Sequence, residues 1–466
     1  MVFPANRNAL TTVFWLAIAL AAIGAACAIL TARDLVYDGS YYLLGLAGQR
    51  TFQLYEPARL SVQLLQQSFA VAGVRMGIQN LWTLGVLFSL GVSGWPVILT
   101  ALCWVALPRG NKDWIAGPLL NLVFAIPATS FIGIGEGIIA SCLLWLAFFL
   151  ILFRTDKLVG ALASVAATAA CTYSHEAAFV CLLLIALAAL MRITDTKSLC
   201  RIGVLVAALI ALAGSANMLR WILVPRSAVE RGDFLVSILG GFLGTASAPN
   251  IPALASVIAA IAIVAVLVRE RSSQTPAKTS RPVVFIVIAL LAVLFGFLFA
   301  DASQLIAPSR FFAARGLPVV LTTLLIALFL WLRRRGQTPA RFATPPVLAI
   351  VLALAIGQTA AQLIITAQWS AYTTALGTVV HTQSGVVSHA TAMRLLNPEG
   401  ARFRRELLES WSVEPLSLVL APSGRVQALV EAAPGARWVP YDPANPATLP
   451  HLPGLDWSHF TPRPVK

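Results

Sequence analysis

Long apolar runs separated by short polar breaks occupy most of the chain. They fall near residues 10–30, 79–107, 115–134, 137–153, 158–173, 177–191, 202–222, 251–268, 283–300, 317–332 and 346–366. Runs of about 20 apolar residues match the roughly 30 Å hydrocarbon core of a bilayer. The pattern predicts an all-α polytopic membrane bundle of about eleven transmembrane helices. The first run exceeds the roughly 7–15 apolar residues of a signal-peptide core, so it reads as an uncleaved anchor. Gly24-Ala25-Ala26-Cys27 echoes a lipoprotein cleavage site but lacks the leucine expected there.

Three segments are too large to be simple turns. Residues 31–78 contain Asp34 and Asp38, then Pro57-Ala58-Arg59-Leu60. An amphipathic stretch follows, with Leu60, Leu64, Leu65 and Phe69 on one face and Gln63, Gln66 and Gln67 elsewhere. Such a helix can lie in a membrane interface or pack on the bundle. Residues 220–250 hold Arg220, Arg226, Glu230, Arg231 and Asp233, then a glycine-rich apolar piece too short to span. Beyond about Trp369 the composition turns toward Pro, Arg, Glu and Ser, which divides a bundle over 1–366 from a C-terminal domain over 367–466. In that domain 401–411 and 424–433 read as helices, and 416–420 and 437–440 as strands, giving a small α/β module. Its proline-rich end, from Pro440, reads as an extended segment.

Composition agrees with the spans. The chain is 58% hydrophobic and 11% charged, against roughly a quarter charged in soluble domains. Its net charge of +14 is a topology signal and calls for no nucleic-acid partner. With the N-terminus in the cytoplasm, one set of loops collects Arg7, Arg109, Lys112, Arg154, Lys157, Arg192, Lys197, Arg201, Arg269, Arg271, Lys278, Arg281, Arg333, Arg334, Arg335 and Arg341. Only Asp113, Asp156, Asp195 and Glu270 oppose them. The positive-inside rule then orients the chain in a cell (inner) membrane, with the C-terminal domain extracytoplasmic. The six cysteines lie in or beside spans and imply no disulfide framework.

Signatures of soluble enzymes are missing: no phosphate-binding glycine loop, no GxSxG, no paired CxxC and no HExxH. Chemistry-bearing residues gather instead at the outer ends of spans. Asp38, in Tyr37-Asp38-Gly39-Ser40-Tyr41-Tyr42, is a carboxylate at a membrane surface flanked by aromatics, a candidate general base with Asp34 as the fallback. An acid that merely ends a helix in headgroup water is the plainer reading. Glu136 sits in the glycine-rich hairpin 133–137, where a carboxylate is costly unless paired or functional. His175 and Glu176 occupy the next outer hairpin. Arg310 and Arg315, and with weaker support Arg220 and Arg226, have the planar donor fork that suits a lipid phosphate, although snorkelling explains each alone. Carboxylates on one wall and arginines on the other suit transfer of a group from a phosphate-linked lipid.

In this layout the chain resembles the GT-C class of polytopic glycosyltransferases, which use polyprenyl-phosphate sugar donors. An acid follows the first span (Asp38), an outer loop with an amphipathic helix comes next, a second acid sits at the next outer hairpin (Glu136), and an outer C-terminal domain closes the chain. Asp38-Gly39-Ser40-Tyr41-Tyr42 is similar to the acid-small-Tyr-Tyr segment of the lipid A aminoarabinose and protein mannosyltransferase branch. The sequence departs from that branch with Glu56-Pro57-Ala58 in place of His-Pro-Pro, and it has no convincing DxD. The resemblance implies a GT-C-like fold and inverting displacement. It gives Asp38 as catalytic base, with Asp34 as the fallback, and Glu136 as the second acid; the pattern of outer residues itself adds His175, Glu176, Tyr41, Tyr42, Arg310, Arg315 and Arg220 as substrate-binding candidates. Whether a divalent cation takes part stays open, as do the sugar and the acceptor, be it lipid, glycan or protein. A transporter or flippase, or a polymerase of lipid-linked saccharides, is the alternative. The uncharged middles of most spans and the lack of duplicated halves count against a transporter.

Overall fold

The computed structural model describes residues 7–125, 135–224, 263, 317–396, 407, 413–432 and 454–460. The expected spans near 251–268 and 283–300, most of the second outer segment and much of the C-terminal domain lie outside them. The fold is mostly helical. Among the described residues six helices are long and apolar enough to cross a membrane: Asn8–Leu30, Leu81–Ala106, Glu136–Arg154, Glu176–Ile193, Leu199–Leu223 and Pro345–Thr382.

The helices are α1 (Arg7–Leu30), α2 (Asp38–Gln49), α3 (Leu60–Arg75), α4 (Leu81–Ser89), α5 (Trp95–Ala106), α6 (Ala116–Leu120), α7 (Glu136–Arg154), α8 (Leu158–Cys171), α9 (Phe179–Ile193), α10 (Ser198–Leu223), α11 (Leu317–Arg334) and α12 (Pro345–Thr382). A π-helical turn, Leu90–Gly94, joins α4 to α5 in one membrane-length element. The expected span at 115–134 begins as the short α6 and a second π-helical turn, Asn121–Ala125. The apolar helix α8 has only 14 residues, about 21 Å of rise.

The central post is α7, which packs against α5, α8, α9 and α11. Trp145 sits edge-on to Phe148, Phe149 and Phe329. Peripheral helices are apolar on both sides. On α1, Leu10, Phe14, Ala17 and Ile18 face the core at helical spacing, while Trp15, Leu16 and Ile23 are exposed. On α10, Leu205, Leu209 and Leu212 are exposed as well. A helix that is apolar all round belongs in hydrocarbon.

The two ends of the bundle differ in charge. At one end Arg154 donates to the Ala106 carbonyl at 2.8 Å and Lys112 to the Trp104 carbonyl at 2.6 Å. Arg192 pairs there with Asp156 at 2.7 Å, and Arg333 covers the rings of Trp114 and Phe153. The opposite end carries Asp34, Asp38, Arg59, Glu136 and Glu176.

A second core lies at that acidic end. It joins α2, the inner face of α3, α4, the distal part of α12 and the described C-terminal residues. The composition shift near Trp369 is not a break in structure, because α12 runs unbroken for 38 residues, about 57 Å. Trp369, Tyr372, Leu376 and Val380 keep the helical period and are buried, so the shift marks a change of surroundings along one helix. The short elements also differ from expectation. Residues 416–420 form no strand but lie at the end of α14 (Val413–Val419), which follows α13 (His389–Leu396). The helix expected over 424–433 is instead strand β2 (Ala428–Val430), parallel to β1 (Gly385–Val387) with Gly385 opposite Ala428. A short buried apolar run has no period that separates strand from helix. The expected elements at 401–411 and 437–440 lie almost wholly outside the described residues.

Candidate functional site

The corner between α1 and α2 is strained. Ala32 has φ 48° and Tyr37 has φ 55°, and Tyr37 stands as N-cap of α2 with ψ −124°. Residues with a β-carbon persist there only when packing over-determines them, and both are buried in the second core. Gly39 completes the turn. A β-carbon on it would lie 1.8 Å from the Asp34 carbonyl oxygen.

This corner gives the two candidate acids different surroundings. Asp34 is buried, accepts from Ser93 Oγ at 2.7 Å, and donates its backbone N–H to Ser89 Oγ at 3.3 Å. Ser89 precedes the π-helical turn and Ser93 lies within it. Beside it, Arg33 donates to Thr366 Oγ1 at 2.8 Å and to the Gln362 carbonyl at 3.3 Å on α12. Burial pushes the Asp34 carboxyl above its ordinary range, against the pull of Arg33 and the two serines. Asp34 thus ties the corner to α4 and the π-helical turn, and Arg33 ties it to α12. Asp38 is half-buried in the first turn of α2, with Tyr41 and Tyr42 one turn on. Tyr55 packs on both tyrosines, with ring centroids 5.4 and 5.1 Å away.

The charged centre is held by Arg59, a residue that sequence reasoning did not single out. Its Nε and Nη2 donate to the two oxygens of Glu176 at 3.0 and 2.5 Å, while Nη1 donates to Glu136 at 2.6 Å. Burial disfavours the guanidinium's charge. Glu136 and Glu176 more than offset this and hold its pKa well above the ordinary value. The Ser61 N–H donates to the Tyr173 carbonyl at 2.9 Å, fastening the start of α3 to the same loop. His175 caps the turn after it, its Nδ1 accepting the Ala177 N–H at 3.2 Å and lying 3.6 Å from Glu176 Oε2.

Tyr42 links this centre to Asp38. Burial first, then Glu136 and Asp38, push its phenol well above the ordinary value, and Arg59 opposes them. The phenol stays protonated, with both carboxylates close enough to act on it. Its oxygen accepts from Gln63 Nε2 at 3.2 Å, and Gln63 Oε1 accepts the Glu56 N–H at 3.4 Å. The face of α3 is therefore reversed from an ordinary surface helix: Gln63, Gln66 and Gln67 are buried, while Leu60, Leu64 and Phe69 are only partly so.

Of the expected residues, Asp38, Tyr41, Tyr42, Glu136, His175 and Glu176 gather at one end of the bundle. Arg220 lies at the same end, where α10 packs on the Glu176–Ala178 turn. It is exposed in the last turn of α10, five residues beyond Ser215, whose Oγ donates to the Phe179 carbonyl at 2.8 Å. Arg226, Arg310 and Arg315 lie outside the described residues. Among the described residues no three His, Cys, Asp or Glu side chains group as metal ligands.

A scan against models of known protein families finds no match, and a search of curated proteins finds none at a significant level.

Proposed function

We propose that the chain is an integral membrane glycosyltransferase that moves a sugar from a polyprenyl-phosphate donor to an acceptor on the extracytoplasmic face. The GT-C-like arrangement of about eleven spans, with a cytoplasmic N-terminus and an outer C-terminal domain, belongs to the same reading. Asp38 takes the proton of the acceptor hydroxyl. The hydroxyl oxygen attacks the anomeric carbon, the bond from that carbon to the phosphate oxygen breaks, and the lipid phosphate departs. Arg310 and Arg315 bind that phosphate in this reading, and Glu136, His175 and Glu176 orient the sugar or acceptor.

The observation that carries it is the shared environment of Tyr42, which feels both Asp38 and Glu136 while Arg59 holds Glu136 and Glu176 together. Glu136 and Glu176, distant in sequence, thus meet on Arg59 at the end of the bundle that also carries Asp38, an arrangement that suits transfer between a lipid-borne donor and a polar acceptor. The segregation of basic loops at the other end supports the orientation. Asp38 is preferred over Asp34 as base because Asp34 is buried and hydrogen-bonded to Ser93. The test reconstitutes the protein in liposomes with a panel of polyprenyl-phosphate-linked radiolabelled sugars. Asp38→Asn is expected to abolish transfer while the protein inserts and folds as wild type. Full transfer by that variant would overturn the assignment, and accumulation of a sugar inside the liposomes without covalent product would replace it with transport.

A further inference from the structure

We infer that the inward face of α3 is a binding wall for a neutral, hydroxyl-bearing sugar ring, with the Gln66 amide as its uncommitted donor. The inference rests on the glycosyltransferase reading and deepens it. Gln63, Gln66 and Ala70, at intervals of three and four residues, share one stripe of α3, and Arg59 is the N-cap just before it. Arg59 and Gln63 direct this stripe at the cluster of Glu136, Glu176 and Tyr42. The amide of Gln67, on the edge of the stripe, is committed: it accepts the Gln53 N–H at 2.7 Å and donates to the Gln53 carbonyl at 2.8 Å. Gln66 differs. It is 2% exposed, and its Nε2 has no hydrogen-bond partner among the described residues.

A buried amide donor left unmade costs folding stability, so its retention calls for a ligand that satisfies it. The surroundings narrow the ligand's chemistry. An anion is disfavoured, because Asp38, Glu56, Glu136 and Glu176 outnumber Arg59. An apolar ligand would leave the Gln66 amide donor unsatisfied. A sugar ring offers hydroxyls that both accept and donate, and its C–H face suits the rings of Tyr41, half-buried, and Tyr55, exposed. The lipid phosphate of the donor must then be held away from this wall.

The experiment compares wild type, Gln66→Leu and Gln67→Leu in proteoliposomes. It measures the unfolding temperature without substrate, and KM and kcat for whichever polyprenyl-phosphate-linked sugar the wild type transfers. Gln66→Leu removes the unmade donor and is expected to raise the unfolding temperature by about 2–4 °C. It is also expected to raise KM about 3–10-fold, more than it lowers kcat. Gln67→Leu, which breaks bonds already made, is expected to lower the unfolding temperature. A Gln66→Leu protein that is less stable than wild type would make Gln66 a structural residue and overturn the inference. A more stable variant with unchanged KM would overturn it too. Failure of the wild type to transfer any sugar would remove the underlying reading, a result seen without reference to the variants.

Discussion

Arg59 and Glu176 meet through two parallel hydrogen bonds, Nε to Oε2 at 3.0 Å and Nη2 to Oε1 at 2.5 Å. This fork-to-fork geometry is available to arginine and not to lysine. The remaining terminal nitrogen takes Glu136 at 2.6 Å, so one side chain fastens the start of α3 to the first turns of α7 and of the α9 element. All three side chains are largely buried, with exposures of 17%, 18% and 5% for Arg59, Glu176 and Glu136.

Removing the cation should therefore leave two buried carboxylates uncompensated. Arg59→Met is expected to destabilise the protein by about 3–5 kcal/mol, while Arg59→Lys keeps the charge and loses the fork. The triple variant Arg59→Met, Glu136→Gln, Glu176→Gln should recover much of the loss, since no charge is left buried alone. The buried free cysteines, such as Cys142 and Cys181, report unfolding through their reaction with a thiol dye on heating. A triple variant no more stable than Arg59→Met would show that the charges are not the source of the loss.

Asp34 gives a pH-dependent expectation of known sign. Burial raises its carboxyl in the folded protein, so the folded state holds this proton more tightly than the unfolded state. Stability contributed by this group is then greatest at low pH and falls as pH rises from the ordinary carboxyl range, about 4, through the raised folded value. Asp34→Asn removes that dependence. The difference in unfolding temperature between variant and wild type should shift in the variant's favour from acidic to neutral pH. A difference constant across that range would mean that Asp34 titrates alike in both states.

Gly39 sets the start of the helix that carries Asp38. A β-carbon there would overlap the Asp34 carbonyl at 1.8 Å, and a backbone oxygen cannot swing aside as a flexible side chain can. Gly39→Ala is expected to cost about 1–3 kcal/mol through overpacking and to displace Asp38. Transfer should fall further than the stability loss explains. Gly110→Ala, where nothing lies within 4 Å, is the control and should change neither quantity.

These sites divide into what a linear reading can and cannot find. The apolar runs fix the helices, and the basic loops separate one end of the bundle from the other. The same alternation puts Asp38, Glu136 and His175-Glu176 at one level. Arg59 was out of reach, because its partners are 77 and 117 residues away and nothing local marks it. The reversal of α3 was hidden for a related reason. Period shows that leucines and glutamines occupy different faces, and only the neighbours decide which face turns inward. At the C-terminus, composition changed at Trp369 while the helical stripe continued through Tyr372 and Leu376.

That continuation has a consequence for Asp38, because α2 packs on α14 and shares one core with the distal part of α12 and with β2. Leu429, in β2, is fully buried there, whereas α9 belongs to the other core with Leu182 and Ile185. Leu429→Ala is expected to cost about 2–5 kcal/mol. If α2 and the C-terminal residues open as one cooperative unit, the amides of Tyr42–Ala47 should exchange with deuterium faster in this variant, and those of α9 should not change. Faster exchange confined to β1 and β2 would separate the C-terminal residues from α2. Acceleration in α9 as well would make the two cores a single unit. Selective acceleration in α2 makes the C-terminal region the support that holds the Asp38 helix in place, which also predicts that Leu429→Ala lowers transfer although Leu429 is no part of the charged cluster.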